Sequence, residues 1–296
     1  MNKNIWCVDL GGTNIKYGVV TTQGVILMQN QIPTGHISSG EAILEKLEAI
    51  YKKDAESHAI DAIGIAAHGV VENGKISCGS QHVAALVDYP LAGEFSRLTG
   101  VSVVMENDVN AAAIGELWQG ALKPYKNAVF VTLGTSIGGA IIIDGKPYHG
   151  LHHGAGEVGY LIIDQTNRDA NALVPGAWEQ HASASSLMRN FRRVKRNDKL
   201  NVEDLIYAFS QDDLETLHVI DEFIYALCSG LVSITHMLAP EVIVIGGALI
   251  SVGDMLLNPV REQFQRRVLP IGRDTEILLA HHPKAAGLLG MAKLAS

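Results

Sequence analysis

Two stretches of this chain repeat one pattern, and that repeat restricts the possible fold more than any other feature of the sequence. The first covers residues 6–24 (WCVDLGGTNIKYGVVTTQG) and the second covers residues 129–145 (VFVTLGTSIGGAIIIDG). Each has an apolar run, a Leu-Gly turn that ends in Thr, a second β-branched run and a polar turn closed by Gly. This order predicts a β-hairpin. Because nearly half the chain separates the copies, they indicate a duplicated domain and not a short-period solenoid.

The remaining segments alternate between strand-like and helix-like patterns. Residues 41–52 carry apolar side chains at helical spacing, whereas residues 59–67 and 101–105 are apolar runs typical of buried strands. In the second half, a long helical segment at about 214–238 precedes an apolar strand that ends in a Gly-Gly pair. Strands that alternate with helices predict an α/β protein. The 296 residues suffice for two domains, and the Gly, Pro and polar residues at 120–126 mark the expected boundary.

The composition argues against several classes of function. A formal net charge of -8 provides no basic surface to hold a nucleic-acid backbone, so we expect no nucleic-acid partner. We also expect no membrane partner, because we find neither an apolar stretch of spanning length nor a signal-peptide pattern at the N-terminus. The three scattered cysteines are typical of a reducing cytoplasm and predict neither disulfides nor a cysteine-rich zinc site.

The first Leu-Gly turn carries groups that suit a phosphate. It lies between two strands, unlike the strand–turn–helix setting of Rossmann and Walker loops. Its glycines let backbone N–H groups surround an anion, Lys16 offers a cation, and Asp9 offers a carboxylate that can hold Mg²⁺ through water. A plain hairpin turn explains the same residues. The second turn, at Gly134 and Thr135, repeats the arrangement, and two such turns favour a grip on a polyphosphate.

A run of polar residues at 106–110 separates an apolar strand from an Ala-rich helix. Asp108 in this run is placed to be partly desolvated while it still accepts a proton. Asn107 offers both a donor and an acceptor, as recognition of a sugar hydroxyl requires. Helix capping, for which Asn and Asp are preferred, explains one of these residues but not the whole run.

Two later segments place carboxylates beside aromatic side chains. Glu157 lies between glycines three residues before Tyr160, and Glu179 directly follows a tryptophan. Carboxylates and aromatic faces are common partners of hexose hydroxyls and ring carbons. A flexible loop with solvated acids explains these residues equally well.

Further residue groups have simple explanations beside the functional ones. We interpret the loop histidines ahead of Glu157 as surface residues, because no cysteine lies near them to complete a metal site. They are His149, His152 and His153. Gly246-Gly247 and Ala286-Gly287 would let a flat base lie close to the backbone, although ordinary strand-to-helix packing uses small residues in the same way.

Taken in order, these motifs resemble the ROK family (repressor, open reading frame, kinase) of sugar kinases. The resemblance covers essentially the whole chain and rests on five motifs. They are Asp9-Leu10-Gly11-Gly12-Thr13, Glu106-Asn107-Asp108-Val109-Asn110-Ala111-Ala112, Leu133-Gly134-Thr135-Ser136-Ile137-Gly138-Gly139, Gly156-Glu157-Val158-Gly159 and Ile245-Gly246-Gly247. The resemblance implies the actin-like ATPase (ribonuclease H-like) fold of the α/β class, with ATP and sugar in the cleft between two domains. We place the N-terminal domain at residues 1–120 plus 283–296 and the C-terminal domain at residues 121–282.

The resemblance also implies a role for each matching residue. Asp108 looks like the catalytic base that takes the proton from the 6-hydroxyl of the sugar. The residues implied to bind sugar are Gly69, Asn107, Asp108, Glu157, Tyr160 and Glu179. The residues implied to bind ATP are Gly11, Gly12, Thr13, Asn14, Lys16, Gly134, Thr135, Gly246, Gly247, Ala286 and Gly287. Asp9 would hold Mg²⁺ through water, so ATP and Mg²⁺ are the expected cofactors.

Two departures from the family pattern concern the sugar site. Most members have His where this chain has Tyr160, followed by a cysteine-rich zinc loop, but residues 164–177 contain no cysteine. We therefore expect no zinc site, and the chain resembles the subgroup of bacterial β-glucoside kinases. His68 stands where Pro usually precedes Gly69, and the loop 79–82 lacks the common Pro-Asn.

The resemblance predicts an ATP-dependent sugar kinase that phosphorylates the 6-hydroxyl of a hexose or β-glucoside. An N-acetylmannosamine kinase and a glucokinase are alternatives, and so is a non-catalytic sugar sensor. Repressors of the family carry an N-terminal helix-turn-helix module, which we do not expect here because the phosphate turn begins at residue 9. A small-molecule sugar is the expected partner, a homodimer the expected assembly and the cytoplasm the expected location.

Overall fold

The computed structural model describes residues 2–79, 81–169 and 172–296. The chain divides into two compact units. The first unit comprises Met1–Pro124, Pro147–Ala155 and Lys284–Ser296, and the second comprises Tyr125–Lys146 and Gly156–Pro283. The predicted C-terminal domain comprises residues 121–282, and this prediction is wrong for the segment Pro147–Ala155. That segment belongs to the first unit, where its residue His149 hydrogen-bonds to Glu106.

The first unit is built on a five-stranded sheet. Its strands and a small two-stranded hairpin are β1 (Asn4–Leu10), β2 (Asn14–Thr21), β3 (Ile26–Pro33), β4 (Ala62–Ala67), β5 (Val70–Glu72), β6 (Lys75–Cys78) and β7 (Val103–Asn107). The sheet order is β3-β2-β1-β4-β7, and β5 pairs with β6. β1, β2 and β3 run antiparallel, as the hairpin pattern predicted, whereas β4 and β7 continue the sheet in parallel with β1.

Helices cover both faces of this sheet because the side chains of a strand alternate between faces. The helices of the first unit are α1 (Gly40–Ala55), α2 (Leu91–Thr99), α3 (Asp108–Gln119) and, last in the chain, α9 (Ala286–Leu294). Trp6 of β1 shares a buried cluster with Leu47 of α1 and Phe95 of α2. Cys7, the next residue along the strand, packs with Ala111 of α3 and Leu289 of α9.

Helices α3 and α9 cross at very short distance, which only small residues allow. A β-carbon added to Gly290 would lie 1.7 Å from the carbonyl oxygen of Ala111, and one added to Gly115 would lie 2.1 Å from that of Ala286. The Ala- and Gly-rich sequences of the two helices are therefore required by their packing. The crossing fixes the start of α9 against the first unit's sheet.

The second unit repeats the topology of the first. Its strands are β8 (Ala128–Leu133), β9 (Ile137–Ile143), β10 (Lys146–Pro147), β11 (Val242–Gly247) and β12 (Glu276–Leu279). The order is β10-β9-β8-β11-β12, with β8 and β9 antiparallel and β8, β11 and β12 parallel. Position by position this is the order of the first sheet, which confirms the duplication predicted from the repeated hairpins.

The helices of the second unit include one that passes as a membrane span by length and composition. They are α4 (Trp178–Ala182), α5 (Ala184–Lys195), α6 (Val202–Ser210), α7 (Leu214–Leu238) and α8 (Asp254–Arg267). The expectation of no apolar stretch of spanning length is thus corrected, because the 25-residue α7 contains an 18-residue window with a mean hydropathy of 1.5. More than half of its apolar window is buried in the unit, where Leu227 and Leu231 are fully enclosed. Burial of this kind is typical of a core helix.

Candidate active site

Three parallel strands of the first unit end side by side, and the predicted catalytic residue lies at that edge. The strand register pairs Leu10 with Ala67 and Ala67 with Asn107. The residues that follow β1, β4 and β7 therefore gather at the carboxyl edge of the sheet, where ligands bind in open α/β sheets. These residues include the first glycine turn, His68 and Asp108. Sequence spacing alone does not bring His68 and Asp108 together.

Asp108 is the first residue of α3. One carboxylate oxygen, Oδ1, accepts a hydrogen bond from the backbone N–H of Val109 (3.0 Å). The other, Oδ2, lies 3.8 Å from Nδ1 of His68, and 28% of the Asp108 side chain is exposed. The partial positive charge at a helix N-terminus stabilises a carboxylate here. Asp108 is thus both held in place and accessible to a ligand.

Asn107 caps α3, so the capping explanation is correct for this residue. Its Oδ1 accepts hydrogen bonds from the backbone N–H groups of Val109 (2.9 Å) and Asn110 (3.0 Å). Its Nδ2 donates to the carbonyl of Gly69 (2.9 Å). The amide therefore braces the helix start against the chain that follows β4. Its role as a sugar ligand remains a prediction.

Gly69 meets a strict backbone requirement. Its φ is 102°, in the region that favours glycine, and an added β-carbon would lie 2.5 Å from the carbonyl oxygen of Cys78. Of the loop 79–82, which the sequence singled out, Ser80 lies outside the described residues. The side chains of Gln81 and His82 lie outside them too.

Asp9 and Lys16 face each other across the first hairpin. They are register partners in β1 and β2, with Nζ of Lys16 3.2 Å from Oδ2 of Asp9. Burial raises the pKa of the Asp9 carboxyl above its ordinary value, Lys16 opposes this rise, and the charge of Asp108 adds to it. Gly287 at the start of α9 leaves space beside Asp9, since an added β-carbon would lie 3.7 Å from its Cγ. The structure thus brings Asp9, Lys16, Asp108 and Gly287 together.

Replacing Asp9 by asparagine should stabilise the apo protein at pH 7. The pKa of Asp9 is higher in the folded state than in the unfolded state. The folded protein therefore loses stability as pH rises from the unfolded-state pKa through the folded-state pKa and the carboxylate ionises. Asparagine removes that cost, and Lys16, whose side chain is 38% exposed, can turn to water. We expect a higher melting temperature for Asp9→Asn at pH 7 and a smaller difference at pH 3. An equal or lower melting temperature at pH 7 would contradict the assignment.

The first glycine turn is anchored from one side and exposed on the other. The N–H of Gly11 donates to the carbonyl of Asn14 (3.2 Å). Thr34, after β3, donates its hydroxyl to the carbonyl of Gly11 (2.6 Å) and its N–H to that of Thr13 (2.9 Å). Gly12 and Thr13 are exposed. Sequence reasoning missed Thr34, because a threonine after a strand carries no signal of its own.

The second turn has the same place in the second unit but a shorter loop. The N–H of Gly134 donates to the carbonyl of Ser136 (3.0 Å). Three residues separate the paired Leu133 and Ile137, against four between the corresponding residues of the first turn. Thr135 is exposed. The predicted duplicate turn is therefore present, with its own backbone geometry.

Gly246 and Gly247 lie beside the second turn. They end β11, and the register pairs Gly247 with Leu133, the residue just before that turn. An added β-carbon on Gly246 would lie 2.6 Å from the ring of Phe130, and one on Gly247 would lie 2.5 Å from the carbonyl oxygen of Leu133. Packing alone thus requires both glycines. Ala286 is buried against α3 in the first unit, so packing explains this residue as well.

The predicted sugar-binding residues of the second unit form one group. Glu157 directly precedes a short 3₁₀ helix, Val158–Tyr160, and its carbonyl accepts from the N–H of Tyr160 (3.2 Å). Gly159 in that helix is so close to the first turn of α4 that an added β-carbon would lie 3.4 Å from Oε2 of Glu179. Glu157 is exposed, and Tyr160 and Glu179 are partly buried.

The edge of the first unit fits a hydrated Mg²⁺ ion. Mg²⁺ is usually held by one or two carboxylates together with water and substrate phosphates. Asp9 provides a partly buried carboxylate next to the exposed Gly12 and Thr13, and the nearby charge of Asp108 leaves more negative charge than Lys16 balances. Within residues 2–79, 81–169 and 172–296, no group of three or more His, Cys, Asp or Glu side chains is arranged to hold a metal ion by itself.

Nearly the whole chain is similar to one known protein family and to individual proteins of known activity. The ROK family model matches residues 5–296. The glucokinase of Halalkalibacterium halodurans is 31% identical over 306 residues, which covers 96% of this chain and 92% of the relative. The ordered motifs thus correspond to a similarity along nearly the whole chain.

Two solved structures have similar folds. The ROK family glucokinase from Streptomyces griseus, in complex with glucose and AMPPNP, superposes with a TM-score of 0.86 at 28% identity and covers 99% of both chains. The ROK hexokinase from Thermus thermophilus superposes with a TM-score of 0.84 at 25% identity and covers 100% of this chain and 98% of its own. The fold is the two-domain actin-like ATPase fold, as predicted.

Proposed function

This chain belongs to the ROK family, and on that premise we propose that it is an ATP-dependent sugar kinase acting on the 6-hydroxyl of a hexose or β-glucoside. The observation that carries the proposal is the carboxyl edge of the first sheet. There Asp108, held at a helix N-terminus, lies near Asp9 and the exposed glycine turn. A proton acceptor beside a phosphate-binding turn is what phosphoryl transfer to a hydroxyl requires.

Asp108 acts as the general base in this proposal. Oδ1 is held by the N–H of Val109, so Oδ2 is the oxygen that accepts a proton. It takes the proton of the sugar hydroxyl as the hydroxyl oxygen of the sugar attacks the γ-phosphorus. The bond from the γ-phosphorus to the bridging oxygen of ADP breaks in the same transfer. The loose transition state asks the protein mainly for positioning and charge stabilisation.

The nucleotide is held by backbone groups and a metal ion. In this proposal the exposed turn at Gly12 and Thr13 receives phosphate oxygens, and the exposed turn at Gly134 and Thr135 offers the same kind of backbone groups. Asp9 would hold Mg²⁺ through water, and the ion would supply positive charge against the phosphate oxygens. Gly287 leaves space close to the backbone beside Asp9.

Glu157, Tyr160 and Glu179 select the sugar in this proposal. Their carboxylates and phenol suit sugar hydroxyls, and their neighbouring positions in the second unit support a shared role. A glucokinase is a second candidate because relatives of that activity are similar along the whole chain. N-acetylmannosamine is a further candidate acceptor. We also propose that the protein works as a homodimer in the cytoplasm.

A sugar panel tests the proposal and identifies the acceptor. We expect ADP release in a coupled assay with Mg²⁺-ATP that depends on added sugar, with kcat/KM highest for one of glucose, cellobiose and N-acetylmannosamine. The product should carry phosphate on the 6-oxygen by NMR. Sugar binding without ADP release would instead indicate a non-catalytic sensor and overturn the proposal.

A further inference from the structure

The proposed mechanism does not use the buried carboxylate of Glu106, near the end of β7. Its side chain is 9% exposed. Oε1 accepts from the backbone N–H of Asn107 (2.8 Å) and from Nδ2 of Asn110 (3.1 Å), while Oε2 lies 2.9 Å from Nε2 of His149. A buried charge is costly unless donors surround it, and here three donors do. Because an ionised carboxylate only accepts, Nε2 of His149 carries the hydrogen of that bond.

The chain after His149 folds back on itself. The N–H of Ala155 donates to the carbonyl of His149 (2.9 Å), and the ring of His153 packs on that of His149 at 4.7 Å between centroids. His152 and His153 have φ angles of 50° and 57°, in the left-handed region that residues other than glycine rarely adopt. Such backbone persists only where surrounding contacts hold it, and it is concentrated at functional sites. His152 also lies 3.8 Å from Glu72 of β5.

The residues of the Glu106–His149 hydrogen bond are close, along the chain, to proposed sugar contacts. Glu106 directly precedes Asn107 and Asp108, and its carboxylate holds the N–H of Asn107. The loop that His149 closes ends at Ala155, two residues before Glu157. The imidazole of His149 thus ties the strand end that leads to the catalytic base to a residue whose backbone carbonyl closes the loop that leads to a sugar ligand.

We propose that Glu106 and His149 form a positioning pair that sets the affinity of the site for its sugar. Neither residue need touch the substrate. The pair acts by fixing the backbone that leads from Glu106 to Asp108 and the backbone that follows His149. This inference rests on the proposed kinase function. The bonds of the pair do not involve the glycine turns that receive ATP, so its effect is specific to the sugar.

Replacing His149 by phenylalanine tests the pair, because phenylalanine keeps a ring and loses the donor. We expect kcat/KM for the best sugar to fall on the order of 10- to 100-fold, mainly through a higher KM for the sugar, with the KM for ATP unchanged. His149→Gln retains an N–H near the position of Nε2 and should recover most of the loss. An unchanged KM for the sugar in His149→Phe, or no recovery in His149→Gln, would overturn the proposal.

A matched control separates positioning from general loss of stability. His58 follows α1 and precedes β4, so it lies toward the amino ends of the strands and away from the candidate site. Its Nδ1 is 3.3 Å from the carbonyl oxygen of Asp54. His58→Phe makes the same chemical change there and should leave both KM values at the wild-type level. If His58→Phe raised the KM for the sugar as much as His149→Phe does, the pair would have no special role.

A second readout does not depend on kinase activity. Hydrogen exchange followed by mass spectrometry reports on the amides that the pair holds, those of Asn107 and Ala155. Both should exchange faster in His149→Phe than in wild type or His149→Gln. If the wild type phosphorylated no sugar, the proposed function would fail, and faster exchange would still support the pair as a restraint on this edge. Unchanged exchange would overturn the pair itself.

Discussion

Asp108→Asn should lower kcat about 10²- to 10⁴-fold, the usual contribution of a positioned general base. Asparagine has nearly the same shape, and its Oδ1 can still accept from the N–H of Val109. It can orient the sugar hydroxyl but cannot take its proton. Loss of one negative charge at the helix N-terminus costs only about 0.3–1 kcal/mol, so the variant should remain folded. The coupled ADP assay and a thermal unfolding curve measure the two effects separately.

The control for this variant is Asp88→Asn. Asp88 is an exposed carboxylate of the same unit, paired with Lys75, and its φ of 61° is one that asparagine tolerates. We expect turnover equal to wild type. Near-wild-type turnover in a folded Asp108→Asn protein would remove Asp108 from the role of base, and sugar-independent ADP release at the wild-type rate would remove the kinase proposal with it.

Gly290→Ala should destabilise the protein although alanine is the better helix former. The new methyl group would lie 1.7 Å from the carbonyl oxygen of Ala111 and 3.0 Å from the backbone nitrogen of Gly115. Neither backbone atom can move without separating α3 from α9. Overpacking of this kind costs about 1–3 kcal/mol or more, which corresponds to a fall in melting temperature of roughly 2–12 °C. Differential scanning calorimetry gives the value directly.

Gly93→Ala is the matched comparison, with an expected effect of opposite sign. Gly93 also lies in a helix, α2. Apart from its chain neighbours and the backbone of its own helix, no atom of the described residues lies within 4 Å of an added β-carbon. Alanine in an open helical site stabilises by about 0.5–1 kcal/mol relative to glycine. The melting temperature should therefore rise slightly. A Gly290→Ala protein as stable as wild type would mean that α3 and α9 do not pack at this distance.

Gly290→Ala should also change the candidate active site. α9 begins at Ala286, buried against α3, and continues with Gly287 beside Asp9. When the crossing is forced apart, the start of α9 moves away from the carboxylate proposed to hold Mg²⁺ through water. We therefore expect the KM for ATP to rise in Gly290→Ala and to remain unchanged in Gly93→Ala.

Most of the fold followed from local patterns in the sequence. The repeated hairpins, the α/β alternation and the duplication all depend on residues close together in the chain, where periodicity is informative. The run at 106–110 was interpreted correctly as a strand end that leads into a helix, and the structure begins that helix at Asp108. The long helix predicted at about 214–238 is α7, but the expectation of no apolar stretch of spanning length was wrong for that helix. The assignment of residues 147–155 was also wrong, because long-range contacts decide it.

By itself the sequence determined the two glycine turns, the position of Asp108 after a strand and the order of motifs that identifies the family. Only the tertiary structure decided what each polar group binds. It engaged Asn107 as a cap and brace, paired the buried Glu106 with His149 from 43 residues away, and set Gly287 beside Asp9. The physical reason is sheet register. Which residues meet at the end of parallel strands depends on how distant segments align, and that alignment is fixed by packing across the whole unit.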